Sequence, residues 1–209
     1  KGRHGLTPAA YMEKHGIFDS PTTAAHCVWL EDGDFDILKR HGVTVACCPA
    51  SNLKLASGYA NVPKMLESGI NVALGTDGAA SNNNLNIMQD MYLFGVVYKG
   101  YFRDPTIITP AEVLHAATRA GALSQGRDDS GLLAVGMRAD LCVLNTDTPQ
   151  FTPMTSAACN VVYAAQGADI RMTMVDGEIL YRDGEFKTID IEKVKAEVQR
   201  RTDSILSRL

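Results

Sequence analysis

Three times in the first third of the chain, a charged, amphipathic stretch closes on a glycine and a short apolar run follows. Glu13-Lys14-His15-Gly16 precedes Thr22–Cys27, Lys39-Arg40-His41-Gly42 precedes Val43–Cys48, and Leu66-Glu67-Ser68-Gly69 precedes Asn71–Asp77. The three glycines stand 26 and 27 residues apart. A strand, a helix and a second strand at that spacing can pair only as parallel neighbours, because the helix must carry the chain back to the starting edge. The pattern therefore predicts α/β architecture. Helix starts agree with it: Thr7-Pro8 offers a cap and a first-turn proline, and Asp32 and Asn61 stand as caps of the helices ended by Gly42 and Gly69. Further on, Leu85, Met88, Tyr92 and Val96 share one face of a helix predicted from about Leu85 to Lys99, and Thr109-Pro110-Ala111-Glu112 reads as a capping box that opens another.

The period changes near Ser130. Short apolar alternations replace the helix-and-strand units: Ala139–Leu144, then Arg171–Val175 and Glu178–Tyr181 about the turn pair Asp176-Gly177, with Asp183-Gly184 repeating the signal. A final helix, from about Ile191 to Leu209, carries Ile191, Val194, Val198, Ile205 and Leu209 in a stripe expected to cover something apolar. The predicted organisation is an α/β part over residues 1–128, a β-rich part over 129–189 and a terminal helix over 190–209.

Composition narrows the function classes. With a net charge of −4, the chain offers no basic field for nucleic acid or an anionic membrane. No apolar run approaches the roughly 18 residues of a spanning helix, and the first ten residues hold no signal-peptide core, so a cytoplasmic protein is expected. The five cysteines are odd in number and lack Cys-x-x-Cys spacing. They read as reduced, apolar packing residues, Cys47, Cys48 and Cys142 among them.

Candidate chemistry gathers where parallel sheets usually carry it, at the carboxyl ends of the strands. Asn71–Leu74 runs through Gly75-Thr76 into Asp77, and a charge at the end of a buried strand calls for a compensating metal or cation, or else is a solvated turn or cap residue. His26 stands at the matching height two strands away, where an imidazole can bind metal, carry a proton or simply pack. His15 and His41 precede the glycines, at the opposite ends of strands that span roughly 17–20 Å, so they are predicted to lie outside the site. Ser51, Asn52 and Lys54 overhang it from Cys48-Pro49-Ala50-Ser51-Asn52-Leu53-Lys54, with loop architecture preferred over substrate contact. Ser81-Asn82-Asn83-Asn84 is expected to cap the next helix.

Three stretches carry a specific resemblance: Ala25-His26-Cys27, Cys48 through Gly58, and Leu74-Gly75-Thr76-Asp77-Gly78-Ala79-Ala80-Ser81-Asn82-Asn83. They resemble the later strands of amidohydrolase-superfamily metal hydrolases, in the branch of the 5-methylthioadenosine/S-adenosylhomocysteine deaminases and the triazine hydrolases. Gly131-Leu132-Leu133 and Gly136-Met137-Arg138-Ala139-Asp140-Leu141 resemble the entry into that superfamily's small β-sandwich domain. The resemblance implies the carboxyl-terminal part of a (β/α)8 TIM barrel, strands six to eight, with a β-sandwich portion and a C-terminal helix. It implies hydrolytic deamination of an adenosine-like, purine-type small molecule, with guanine or cytosine deamination and triazine hydrolysis as neighbours. A non-catalytic ligand-binding remnant is the alternative of another class.

By the same resemblance Asp77 binds a single divalent metal, zinc, and takes the proton from the attacking water, while His26 stands beside that water without ligating. The superfamily's first-strand His-x-His and fifth-strand histidine have no counterpart here, and a barrel takes roughly 200 residues or more. The chain is accordingly expected to be inactive and zinc-free alone, and to self-associate or pair with a missing amino-terminal segment through an open strand edge. Cys47 stands where relatives often carry histidine and is read as a packing change.

Overall fold

The computed structural model describes residues 2–209, and the chain divides into two compact units, residues up to Met137 with Asp147–Gly167, and Arg138–Thr146 with Ala168–Leu209. In the first, α1 (Pro8–Lys14), β1 (Thr23–Ala25), α2 (Asp32–Arg40), β2 (Thr44–Cys47), α3 (Pro49–Lys54), α4 (Val62–Glu67) and β3 (Val72–Leu74) follow in order. The strands form a parallel sheet in the order β1-β2-β3, with Ala24 opposite Val45 and Val45 opposite Val72. Predicted caps hold at Thr7, whose hydroxyl accepts from the Ala10 amide, and at Asn61, which accepts from the Lys64 amide. On α2 the cap is Glu31 and not Asp32, because Asp34 is placed to reach back to the Glu31 amide at 2.9 Å and closes a capping box.

The remaining helices of this unit are α5 (Ala79–Asn82), α6 (Ile87–Phe102), α7 (Pro110–Ala117), α8 (Arg119–Ser124) and α9 (Ala157–Tyr163). The expected cap at Ser81–Asn84 is replaced by Asn86, whose side chain accepts from the Met88 amide and leaves Leu85 outside α6 and exposed. The Thr109–Glu112 capping box forms as expected. The core lies between the sheet and these helices: Leu38, Val43, Val45, Val62, Met65, Phe94, Tyr98 and Val113 are each at most 2 % exposed. Cys47 is fully buried, with its sulfur 3.0 Å from the Tyr98 hydroxyl, which is a packing role.

The second unit is an antiparallel sheet of β4 (Leu141–Leu144), β5 (Ile170–Val175), β6 (Glu178–Arg182) and β7 (Glu185–Phe186), followed by α10 (Ile191–Leu206). Asp176 and Gly177 both take positive φ at the β5–β6 turn, the conformation a type I′ turn demands. Asp140 accepts the Asp176 amide at 2.7 Å and Arg138 pairs with the Asp176 carboxylate at 3.2 Å, so the motif residues brace the hairpin.

Three expectations change. The division between the units differs from a single break near residue 128, because Asp147–Gly167, including the unpredicted helix α9, packs with the first unit through α6 and α7. Cys142 is exposed, as is its neighbour Val143 on β4. No residue of α10 is buried: Val194, Val198 and Ile205 lie 45 %, 59 % and 54 % exposed, so the stripe stays largely open to solvent.

Candidate active site

The strands stop early, and the two predicted residues stand beyond their carboxyl ends in left-handed backbone, His26 at φ 67° and Asp77 at φ 61°. Cys27 shares that conformation at φ 48°. Non-glycine residues rarely adopt it, and positions of this kind occur both in turns and at functional sites. Here the sheet holds them. The His26 amide donates to the Ala46 carbonyl at 2.8 Å and the Gly75 amide to the Cys47 carbonyl at 2.9 Å, continuing the parallel ladder to the edge of the site.

His26 and Asp77 meet: Nε2 of the imidazole lies 3.8 Å from Oδ2 of the carboxylate, with the side chains 39 % and 31 % exposed. The carboxylate is satisfied by the protein itself. Ser51 Oγ donates to Oδ2 at 2.6 Å and the Gly78 amide to Oδ1 at 2.7 Å. Hydrogen bonds from Ser51, Ser81 and the Gly78 amide hold its pKa down to about 2. Energetic need alone therefore does not call for a cation at Asp77, contrary to the expectation drawn from a buried strand end.

One segment differs from its expected form. Cys48–Lys54 was expected to form a loop over the site; it forms α3, started by Pro49 at the first helical position. The helix turns Ser51 onto Asp77 and Asn52 onto His26, with Asn52 Oδ1 2.9 Å from Nδ1. Lys54 points elsewhere, to the Ala80 carbonyl at 3.3 Å and the Asn83 side chain. The signal that could have exposed this was the Pro-first start, because it fixes the helical register that carries Ser51 and Asn52. His15 and His41 cap α1 and α2 away from the pair, and His41 Nε2 contacts Glu13 at 2.9 Å. Asn82 is structural: its Nδ2 donates to the Thr76 carbonyl and to Asp90.

A cavity of about 420 Å³ opens over the pair, walled by Val28, Trp29 and Leu55 and floored by the polar groups of His26, Ser51, Asn52, Ser57 and Asp77. A larger, more apolar cavity of about 510 Å³ runs beside β1 against Met12, Phe18 and Leu38, and its one carboxylate, Asp34, is occupied in capping α2. The smaller one is the one lined by both His26 and Asp77. Among the described residues no three His, Cys, Asp or Glu side chains cluster as a metal set. His26 and Asp77 provide an imidazole nitrogen and a carboxylate oxygen, which suit zinc in kind but fall short of the three protein ligands of a catalytic site.

Residues 1–180 match the Amidohydrolase family. The chain belongs to that family. It is 46 % identical over 205 residues to a 5-methylthioadenosine/S-adenosylhomocysteine deaminase of Acetivibrio thermocellus, covering 98 % of this chain and 48 % of the relative. It is 44 % identical over 187 residues to a 5′-deoxyadenosine deaminase of Methanothermobacter thermautotrophicus, covering 90 % and 44 %. The structure of a zinc-bound adenosine deaminase from Xanthomonas campestris superposes with a TM-score of 0.95 at 28 % identity, over 99 % of this chain and 47 % of that one. The chain thus spans about half the length of the curated relatives it matches. As an amidohydrolase, its fold is the carboxyl-terminal part of a (β/α)8 barrel with a β-sandwich portion and a terminal helix.

Proposed function

We propose that this chain carries the proton-transfer half of a metal-dependent hydrolytic deaminase acting on adenosine-like thioether or deoxy nucleosides. The observation that carries the reading is the His26–Asp77 pair, set 3.8 Å apart beyond β1 and β3 at the mouth of a cavity with apolar walls. In this reading β1, β2 and β3 are the sixth, seventh and eighth barrel strands, and further polypeptide of the relatives' length supplies the remaining ligands. The names of the relatives support the substrate class.

Asp77 would hold the divalent ion, zinc in keeping with the Xanthomonas neighbour, and such an ion supplies activation of water for attack near neutral pH. The chain's own residues do the rest. Asp77 is fixed by Ser51 and by the Gly78 amide, so its carboxylate would be held in place to receive the proton of the attacking water once the ion has made that water acidic. His26 Nε2, facing Oδ2, can take up that proton or stabilise charge on the ring under attack, and the amino group departs as ammonia once protonated. Val28, Leu55 and Trp29 line the cavity and offer a flat heterocycle apolar contact. The setting we infer is cytoplasmic: the five cysteines are free, as a reducing compartment keeps them, and no helix among the described residues is long and apolar enough to cross a membrane.

The test is a chimaera in which this chain replaces the matching part of the Acetivibrio thermocellus deaminase, assayed for ammonia release from methylthioadenosine, adenosylhomocysteine and 5′-deoxyadenosine. Activity is expected, and Asp77→Asn should lower kcat by at least roughly 10²-fold. A folded, zinc-loaded chimaera that releases no ammonia overturns the reading, and an Asp77→Asn variant with full activity removes the proton role.

A further inference from the structure

Two of the side chains that touch the pair, Ser51 and Asn52, are neighbours in one short helix. Ser51 and Asn52 are 1 % and 3 % exposed, so both side chains were taken out of water to reach Asp77 and His26. Asn52 shows what is gained. Its Nδ2 is buried with no hydrogen-bond partner among the described residues, an arrangement that an apolar side chain of the same size would avoid. What the asparagine offers in return is a single acceptor, Oδ1, aimed at His26 Nδ1 from 2.9 Å.

We infer that Ser51 and Asn52 are positioning residues, with Asn52 fixing the proton of neutral His26 on Nδ1 so that Nε2 presents its lone pair to Asp77 and the cavity. A carbonyl-type oxygen only accepts, so the hydrogen bond at 2.9 Å places the donor on Nδ1. The ring's other nitrogen is then the atom that receives a proton, and it lies 3.8 Å from Asp77 Oδ2, on the side of the cavity. Ser51 completes the arrangement by donating to that same Oδ2, which turns the carboxylate toward the imidazole while Gly78 holds Oδ1. One turn of α3 therefore sets both the tautomer of the histidine and the orientation of the aspartate, and a shift of this helix would disturb the two together. The catalytic meaning of this assignment rests on the deaminase reading, but the tautomer is a property of the chain as it stands.

The experiment is a multiple-bond proton–nitrogen correlation spectrum of the histidine-labelled 209-residue chain in alkaline buffer, where imidazoles are neutral. The His26 signals, assigned by their loss in His26→Gln, should show hydrogen on Nδ1 and a bare Nε2. Asn52→Leu, which keeps the volume and removes the acceptor, should move the proton to Nε2. Asn52→Asp, which restores an acceptor, should return it to Nδ1. A wild-type spectrum with hydrogen on Nε2 overturns the proposal without any variant, and so does an Asn52→Leu spectrum identical to the wild type. Should Asn52→Leu fail to fold, the wild-type and Asn52→Asp spectra still decide. Because no metal or substrate enters the measurement, failure here leaves the chimaera result intact, and an inactive chimaera leaves the tautomer standing.

Discussion

At the scale of single residues, polar groups buried in this chain are there to join segments. Asp90 is 1 % exposed, yet it accepts the Ala50 amide at 3.2 Å and Asn82 Nδ2 at 3.0 Å, tying the start of α3 to α6 and to the strand-end loop. Asp90→Ala removes the acceptor of the Ala50 amide and one of the two acceptors of Asn82 Nδ2, and should destabilise the first unit by about 1–3 kcal/mol in urea unfolding; a change below experimental error would show that the donors find other partners. Burial pushes the Asp90 carboxyl upward, against the Ala50 and Asn82 hydrogen bonds that lower it. A raised folded-state value means that the folded protein binds its proton more tightly than the unfolded chain. The corresponding stability is fully present below the unfolded value and is lost as pH rises through the folded one, and Asp90→Ala should flatten that slope. His26 and Asp77 were legible as residues because each follows an apolar run. Their partners Ser51 and Asn52 read only as loop formers, because hydrogen bonds across 26 residues leave no local pattern.

At the scale of elements, the helix punctuation came through because it is chemistry within four residues: Thr7, Asn61 and Thr109 all cap as the sequence suggested. Strand lengths did not, since apolar runs of six or seven residues contain pairing segments of only three or four. The glycines divide by their surroundings. Gly131 sits at φ +86° with room for no side chain, as a Cβ would lie 2.7 Å from Arg119 Cα and 3.0 Å from the Thr118 carbonyl oxygen. Gly131→Ala should therefore cost about 1–3 kcal/mol through backbone strain, with the contact adding to it. Gly100, exposed near the end of α6 with nothing near its Cβ position, is the control: Gly100→Ala should gain about 0.5–1 kcal/mol. Equal shifts in thermal unfolding for the two would refute the packing account of Gly131.

At the scale of the whole molecule, two apolar features lack a partner among the described residues. Among the described strands β1 pairs with β2 alone, with the 510 Å³ cavity beside it, and α10 exposes Val194, Val198 and Ile205. An open edge next to apolar surface is a template for association. The purified chain is expected to self-associate, with light scattering showing a mass that rises with concentration; a monomer mass throughout would contradict this. The same features divide what each level of description decides. The sequence by itself determined the parallel α/β order, the turn at Asp176-Gly177 and the carboxyl-end location of His26 and Asp77, because periodicity, caps and turn residues act over a few neighbours. Only the tertiary structure decided that α9 joins the first unit, that no residue of α10 is buried and that α3 grips both site residues. Those outcomes depend on surfaces brought together from distant parts of the chain, and burial and long-range hydrogen bonds are settled by that packing and not by local composition.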